Sequence, residues 1–530
     1  MIADLMKPPH LTLLRSTLLP LYPLRYFVYV LCALTAGFGV PTSARADVEE
    51  TRRTLEALAE RVTVHRLDNG LRVILYRRGY APVFAGAVGV RVGGSDETPG
   101  QTGISHLLEH MAFKGTSTIG TKDYPRERRL LAELEKMVEQ AGADGALPEE
   151  LRARWGAVQQ ELEQVWVTEQ FTREYENRGA SGMNATTDTE LTRYFVNLPR
   201  SAFEFWALME SERILDPVMR QFYQERDVVM EERRMRYEDR PEGKLYERLL
   251  GAAFLVHPYQ NPVIGYDFDI RRLTATEVDE FRRRYYVPGN IAVSVVGDVD
   301  PARDLPILER YFGRIPTAPV PKRPSIVEPV QEGEREFRLE SNSSPELFIA
   351  YRKPQYPHPD DPAISVFLQL VAGSRISPLY TELVKRRQLA ADIGHTEVPG
   401  SAYPNLALFT ATVKSPHTND QLIEAFDEVL DRFCTRPVSE SELEIAKRAI
   451  AVEHLEHIRS NMSLALDFVS SELLYNDWKA FLDWYNKVML VTAADVQRVG
   501  QSWFNRSGRT VARLETKRGV AAAPPAGEGV

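Results

Sequence analysis

Thr274-Ala275-Thr276-Glu277-Val278 is followed by Tyr286 and then by an apolar run from Ile291 to Val296. The same design returns as Thr492-Ala493-Ala494-Asp495-Val496, then Phe504, then Thr510 to Leu514, with the same Thr-to-aromatic interval. A Thr with an acid three residues on is the capping-box signature of a helix start. The β-branched run after the aromatic reads as a strand. One helix-then-strand unit is therefore expected twice in the chain. The front ends agree. Ile104-Ser105-His106-Leu107-Leu108-Glu109-His110 lines up with Ile364-Ser365-Val366-Phe367-Leu368-Gln369-Leu370, keeping the apolar frame and losing both histidines and the carboxylate. The expected fold class is α+β: two homologous α/β units, each with an antiparallel sheet flanked by helices. One copy is expected to be active and the other to be its structural partner.

Between the copies the composition shifts. Pro316, Pro319, Pro321, Pro324 and Pro329 fall in a polar, extended stretch, so 316–334 reads as a linker. The first unit is expected over 47–315 and the second over 335–516, with 517–530 as a disordered tail. Within the first unit, Val62-Thr63-Val64, the turn Asp68-Asn69-Gly70 and Leu71 to Tyr76 form a hairpin signal. Val83 to Val92 reads as another strand, and a helix is expected from Ile104 to about Phe113. Apolar residues at helical spacing, Leu130, Leu134 and Met137 and then Leu151, Trp155, Val158 and Leu162, predict an antiparallel helical hairpin over about 125–170.

The chain has 530 residues, 43% of them hydrophobic and 26% charged, with a formal net charge of −9. That balance argues against nucleic acid as a partner, because phosphate binding needs a basic face. Lys7, Arg15 and Arg25, the apolar run Tyr26 to Val40 and Ala44-Arg45-Ala46 read as an export signal over 1–46, with Asp47 as the first mature residue. An exported, periplasmic protein is expected, with no membrane span once the signal is removed; the alternative is an uncleaved anchor. Cleavage would leave Cys434 as the one cysteine, which excludes an internal disulfide and a metal site built from several thiolates.

His106-Leu107-Leu108-Glu109-His110 carries the chemistry. Residues four apart share a helix face, so both imidazoles can reach one metal ion, and Glu109 leans over the same face. Ile104, Leu107, Leu108 and Met111 make the other face apolar, which places this helix in a core. Zinc catalysis needs nitrogen ligands, an open position for water and a carboxylate to take its proton. Two histidines leave the site one protein ligand short. Glu225-Arg226-Asp227-Val228-Val229-Met230-Glu231-Glu232, inside a helical run from Gln221 to about Tyr237, is the best source of a carboxylate. Glu225 and Glu232 lie two turns apart on one face. Glu231 and Glu232 are about a hundred degrees apart, so only one of them can face the metal. Zinc is inferred from ligand type, and manganese or cobalt fits the same donors.

The motif, its position and the duplication resemble the insulinase-like (pitrilysin) family of zinc peptidases, the inverzincins, with H-x-x-E-H in place of H-E-x-x-H, in the bacterial two-domain form resembling the processing-peptidase branch. The resemblance covers most of the mature chain. It includes His106 to Gly115, Asn184-Ala185-Thr186-Thr187, Glu225 to Glu232, His257-Pro258-Tyr259, Pro262 to Gly265, and Tyr286-Val287-Pro288 through Val296-Gly297-Asp298. It implies a zinc-dependent endopeptidase acting on peptides or unfolded segments, with one zinc per chain. His106 and His110 are then the histidine ligands, Glu232 the third ligand, Glu109 the general base, and Glu225 the secondary acid that supports the site. Asn184 and Ala185 become the edge strand that pairs with substrate backbone; otherwise Asn184 is a turn residue. The longer-than-usual interval from His106 to Glu232 is assigned to the 125–170 insertion.

One departure concerns the second unit. Single-chain members carry an Arg and a Tyr there that bind substrate, and in this chain Val384 and Ala391 stand in those places. A homologous companion subunit supplying the pair, or a homodimer, is the implied partner. The alternative register would use Arg375 or Tyr380. The competing functional reading is a non-catalytic structural or binding subunit, which the retained His106, Glu109, His110 and Glu232 oppose.

Overall fold

The alternation at Val62-Thr63-Val64 and the turn after it produce the antiparallel pair β1 (Val62–Arg66) and β2 (Arg72–Arg77), with Val64 opposite Ile74. β3 (Val83–Val90), β4 (Ser181–Thr187), β5 (Thr192–Pro199) and β6 (Ile291–Gly297) complete a six-stranded sheet in the order β1-β2-β6-β3-β5-β4. β7 (Arg335–Ser341), β8 (Glu346–Lys353), β9 (Ala390–Val398), β10 (Asn405–Val413) and β11 (Arg509–Thr516) form a second sheet in the order β7-β11-β8-β10-β9. The second order repeats the first without a counterpart of β1. Both sheets are antiparallel except at one pair, β2 with β6 and β7 with β11, which run parallel. In each half the strand of the duplicated helix-then-strand unit, β6 or β11, is the one that runs parallel to a neighbour, β2 or β7.

The computed structural model describes residues 57–79, 81–142, 145–323 and 325–517. The expected signal segment and its cleavage site lie outside the described residues. So does the expected tail, except Lys517, whose N–H donates to Ser341 O at 2.9 Å. From residue 316 to residue 332 the described backbone has neither helix nor strand. It is nevertheless tied down. Arg323 donates to Asp96 Oδ1 at 2.7 Å, and the Glu328 carboxylate accepts from the N–H groups of Leu255, Val256 and His257.

The helices that matter for the site are α1 (Ile104–Met111), α2 (Tyr124–Val138), α3 (Glu149–Val165), α4 (Phe222–Arg233), α5 (Pro241–Ala253) and α6 (Ala275–Tyr285) in the first half. In the second they are α7 (Asp361–Ala372), α8 (Asn461–Tyr475) and α9 (Ala493–Trp503). The capping boxes of α6 (Thr274 with Glu277) and α9 (Thr492 with Asp495) are both formed. On α1, Ile104, Leu107, Leu108 and Met111 are buried in the first core, as their spacing implies. Its N-cap, Gly103, has φ 88°, and a Cβ there would sit 2.5 Å from Ile264 O, so only glycine fits.

α2 and α3 are the expected helical hairpin, and it is not a loose excursion. Leu130, Leu134 and Met137 of α2 and Val158 and Leu162 of α3 enter the same core as α1. Arg220, buried together with Glu127 of α2, donates to both oxygens of that carboxylate, at 2.5 and 2.9 Å. Its remaining N–H groups reach the carbonyls of Lys114, Thr116 and Ile119, in the loop that follows α1.

Each sheet has two faces to cover, and each borrows a helix from the other half. α8 lies on the back of the first sheet, where Leu464, Phe468 and Val469 pack with Ile74, Ala85, Ala87 and Val296. The approach is close enough that a Cβ on Gly89 of β3 would come within 2.1 Å of Val469 Cγ1. Reciprocally, Leu245, Leu249 and Leu250 of α5 pack with Phe348, Leu406, Leu408 and Leu514 on the back of the second sheet.

Candidate metal centre

α1 and α4 cross so that the polar face of each meets the other. His106 Nε2 lies 3.9 Å from Glu232 Oε2, and His110 Nε2 lies 3.6 Å from the same oxygen. The three ligand atoms fall within 4.8 Å of one another, and His106, His110 and Glu232 are the one such group of histidine, cysteine and acid side chains among the described residues. Tetrahedral zinc with bonds of about 2.1 Å sets its ligand atoms about 3.4 Å apart. A nitrogen, nitrogen, carboxylate set at nearly that spacing fits a zinc ion. Burial, with the charge of His110 adding to it, lowers the basicity of His106 well below the ordinary imidazole value, which keeps that ring neutral and its lone pair free.

Glu231 and Glu232 are resolved by packing. Glu231 is turned to solvent and paired with Arg234, whereas Glu232 faces the histidines. The other Glu232 oxygen is held by Arg236 at 2.8 Å, one turn further on, where α4 continues into the π-helical turn Arg234–Glu238. Glu225, at the other end of the same face, sets Oε1 3.3 Å from His110 Nδ1 and Oε2 2.6 Å from Lys114 Nζ. Burial opposes ionisation of Glu225, but His110 and Lys114 outweigh it and hold the carboxyl below its ordinary range. Burial likewise works against a charged His110. The hydrogen bond to Glu225 and the charges of Glu109 and Glu232 nonetheless raise its pKa.

Glu109 is buried, and Thr187 Oγ1 donates to its Oε2 at 2.6 Å. Burial lifts its pKa above the usual carboxylate range, with His110 and Thr187 pulling partly back. Thr187 ends β4, which is the outer strand of its sheet, pairing with β5 on one side only. Asn184 and Ala185 lie in this edge strand and not in a turn. The irregularity that Gly182 introduces falls before them, between Ser181 and Asn184. The Ala185 side chain is buried, and its N–H is held by Asn184 Oδ1 at 2.9 Å.

Sequence reading had assigned no role to Thr187, Lys114 or Arg236. Signals for two of them exist: Lys114 is four residues after His110, and Arg236 four after Glu232, each on the ligand face. Thr187 is two residues from Ala185, on the same face of its strand. In the second unit, α7 replaces the histidines with Val366 and Leu370, and Val366 is buried in that unit's core. Val384 packs against the same core, and Ala391 is exposed on β9. Arg375 is exposed in the loop after α7, and Tyr380 lies beneath Lys385 Nζ at 5.8 Å. Among the described residues no helix is long and apolar enough to cross a membrane.

Two family models match the chain: "Insulinase (Peptidase family M16)" over residues 72–143, and "Peptidase M16 inactive domain" over 272–450. The chain is similar to the insulinase family of peptidases over these two stretches. The match to the inactive domain spans the linker and much of the half that lacks the histidines. Among the proteins this chain is similar to, zinc protease PqqE of Helicobacter pylori is 25% identical over 462 residues, covering 85% of this chain and 91% of that protein. An uncharacterized zinc protease of Mycobacterium bovis is 25% identical over 476 residues, covering 85% and 92%. The fold is shared with a crystal structure of a protease from Helicobacter pylori, with a TM-score of 0.72 at 23% identity, covering 86% of this chain and 99% of that one. A Pseudomonas fluorescens structure described as a peptidase M16 inactive domain gives 0.69 at 16% identity, covering 87% and 100%.

Proposed function

We propose that this chain is a zinc-dependent endopeptidase that hydrolyses peptides or unfolded polypeptide segments. The observation that carries the reading is the convergence of His106, His110 and Glu232 beside a buried, free-edged carboxyl, Glu109. The zinc protease names of its relatives support it. Zinc held by those three side chains would supply Lewis acidity toward a water molecule and the scissile carbonyl. Glu109 takes the proton of the attacking water and passes it to the leaving amine. A carboxyl lifted above the ordinary range by burial suits both transfers. Thr187 occupies Oε2, which leaves Oε1 as the proton-carrying oxygen. Glu225 orients His110, and Arg236 orients Glu232. The outer edge of β4 at Asn184 and Ala185 takes substrate as an added strand, a mode that reads backbone and tolerates varied side chains.

With Val384 and Ala391 standing where substrate-binding Arg and Tyr are expected, a homologous companion subunit completes the site. Export to the periplasm, proposed from the N-terminal sequence, places the enzyme among unfolded exported chains.

The test is hydrolysis of a quenched peptide library by the purified chain and its Glu109→Gln variant, each with a zinc count. Activity lost in the variant with zinc retained is the expected result. A native chain that binds no zinc would overturn the reading. One zinc without hydrolysis would remove self-sufficiency and leave the companion-dependent form.

A further inference from the structure

The second unit contains a cavity of about 370 Å³ that no step above uses. Lys353, almost fully buried on its wall, donates to Asp361 Oδ1 at 2.6 Å and to Glu397 Oε2 at 2.5 Å. Trp484 Nε1 donates to the other Asp361 oxygen at 3.0 Å, and Ser365 Oγ to the other Glu397 oxygen at 3.3 Å. Elsewhere on the lining, Asp467 meets His457 Nε2 at 3.0 Å. Three carboxylates thus line the space against the Lys353 ammonium and one paired imidazole, with a second ammonium, Lys487 Nζ, 4.7 Å from the ring of the lining residue Tyr356. Tyr475, Phe481 and Trp484 supply the remaining aromatic wall. Carboxylates joined to aromatic rings are the surroundings that hold an organic cation, which gains from both charge and ring quadrupole.

Two lining atoms are left without partners. Asn405 is 3% exposed; its Nδ2 donates to Gly400 O, which fixes the amide orientation and leaves Oδ1 buried and unpaired. His454 lies flat against Tyr485, with ring centroids 4.8 Å apart and an interplanar angle of 12°, and its Nε2 is buried and unpaired. A buried acceptor without a donor destabilises the fold. Such an atom on a cavity wall marks the place of an N–H group that arrives from outside.

We infer that this cavity binds an organic cation, an alkylammonium or alkylguanidinium group, donating to Asn405 Oδ1 and neutralising the excess carboxylate charge. The source is either a free small amine or a basic side chain of a bound polypeptide. One hydrogen bond ties the cavity lining to the turn that follows β4. Ser401, on the lining, donates its N–H to Glu190 Oε2 at 3.1 Å, and Glu190 belongs to the turn between β4 and β5. The inference does not depend on the peptidase reading, because its readout is binding.

The experiment is calorimetric titration of the full chain with butylguanidine and with its neutral isostere butylurea. Saturable binding of butylguanidine is expected, with butylurea about tenfold weaker or worse. Asp467→Asn, a partly exposed position, should weaken butylguanidine by about tenfold, and Asn405→Asp should tighten it by a similar factor. No saturation, equal binding of the two probes, or unchanged affinity in both variants would overturn the inference. An acetylated peptide with a single arginine separates the sources: competition with butylguanidine supports a site for polypeptide side chains, and binding of butylguanidine without competition supports a site for a free amine.

Discussion

Glu225 Oε1 meets His110 Nδ1 at 3.3 Å, which leaves the opposite ring nitrogen facing Glu232. Lys114 Nζ holds the other Glu225 oxygen at 2.6 Å. Groups that orient a ligand in this way typically contribute 10–100-fold in metal affinity. Glu225→Gln and Lys114→Met are each expected to weaken zinc by roughly 10-fold or more while leaving the fold intact. Competition against a chelator of known affinity measures it; wild-type affinity in both variants would show that the chain Lys114–Glu225–His110 orients nothing.

The two adjacent acids of α4 make a sharper contrast. Glu232→Gln should lose stoichiometric zinc. Glu231→Gln touches only a solvent-exposed pair with Arg234, so it should retain zinc and change stability by no more than about 0.5 kcal/mol. Metal analysis of the two proteins side by side decides it.

Arg220 and Glu127 form a buried pair that clamps α2 to the loop after α1. Breaking it from one side leaves an uncompensated buried charge, so Arg220→Met should cost about 3–5 kcal/mol. The double variant Arg220→Met with Glu127→Leu should recover much of that loss, because the charge left behind is then also gone. Chemical denaturation of the three proteins tests the coupling, and simple additivity of the two single changes would reject it.

Glu190 accepts from Tyr259 and from the Ser401 N–H between the two halves. Burial, with the nearby Asp188 charge, raises its carboxyl to about 7. In the unfolded chain the group releases its proton near about 4.3. Between those values the folded state holds a proton that the unfolded state has lost, so stability must fall as pH rises from about 4.5 to about 7 and level off above, with a slope no steeper than about 1.4 kcal/mol per pH unit. Glu190→Gln should remove that contribution, so its stability relative to wild type climbs across the same window. Parallel pH profiles for the two proteins would show that Glu190 titrates normally.

How far sequence reading reached varied with the range of the forces involved. The boxes at Thr274 and Thr492, the turn after Arg66 and the shared face of His106 and His110 depend on neighbours within a turn or two, and all were legible. The choice between Glu231 and Glu232 was not legible from helical geometry, because both lie on the same amphipathic helix; contact with α1 and the pairing of Glu231 with Arg234 settle which one turns inward. Thr187 stayed silent because a hydroxyl on a strand says nothing about the carboxyl across from it. The exchange of α5 and α8 between the two sheets was equally hidden: an apolar helix face states that it must be covered, not which sheet covers it.

By itself, then, the sequence determined that a two-fold repeated α/β unit exists, that one copy carries paired imidazoles and an acid on one helix face, and that the other copy has lost them. Those properties follow from periodicity and short-range hydrogen bonding, which a linear string encodes directly. Only the tertiary structure decided which carboxylate faces the two imidazoles, which side chains hold it there, and that each half finishes the other's core. These depend on contacts between residues far apart in the chain, where the close approach of Gly89 to Val469 or the burial of Glu127 against Arg220 is a property of packing and of nothing local.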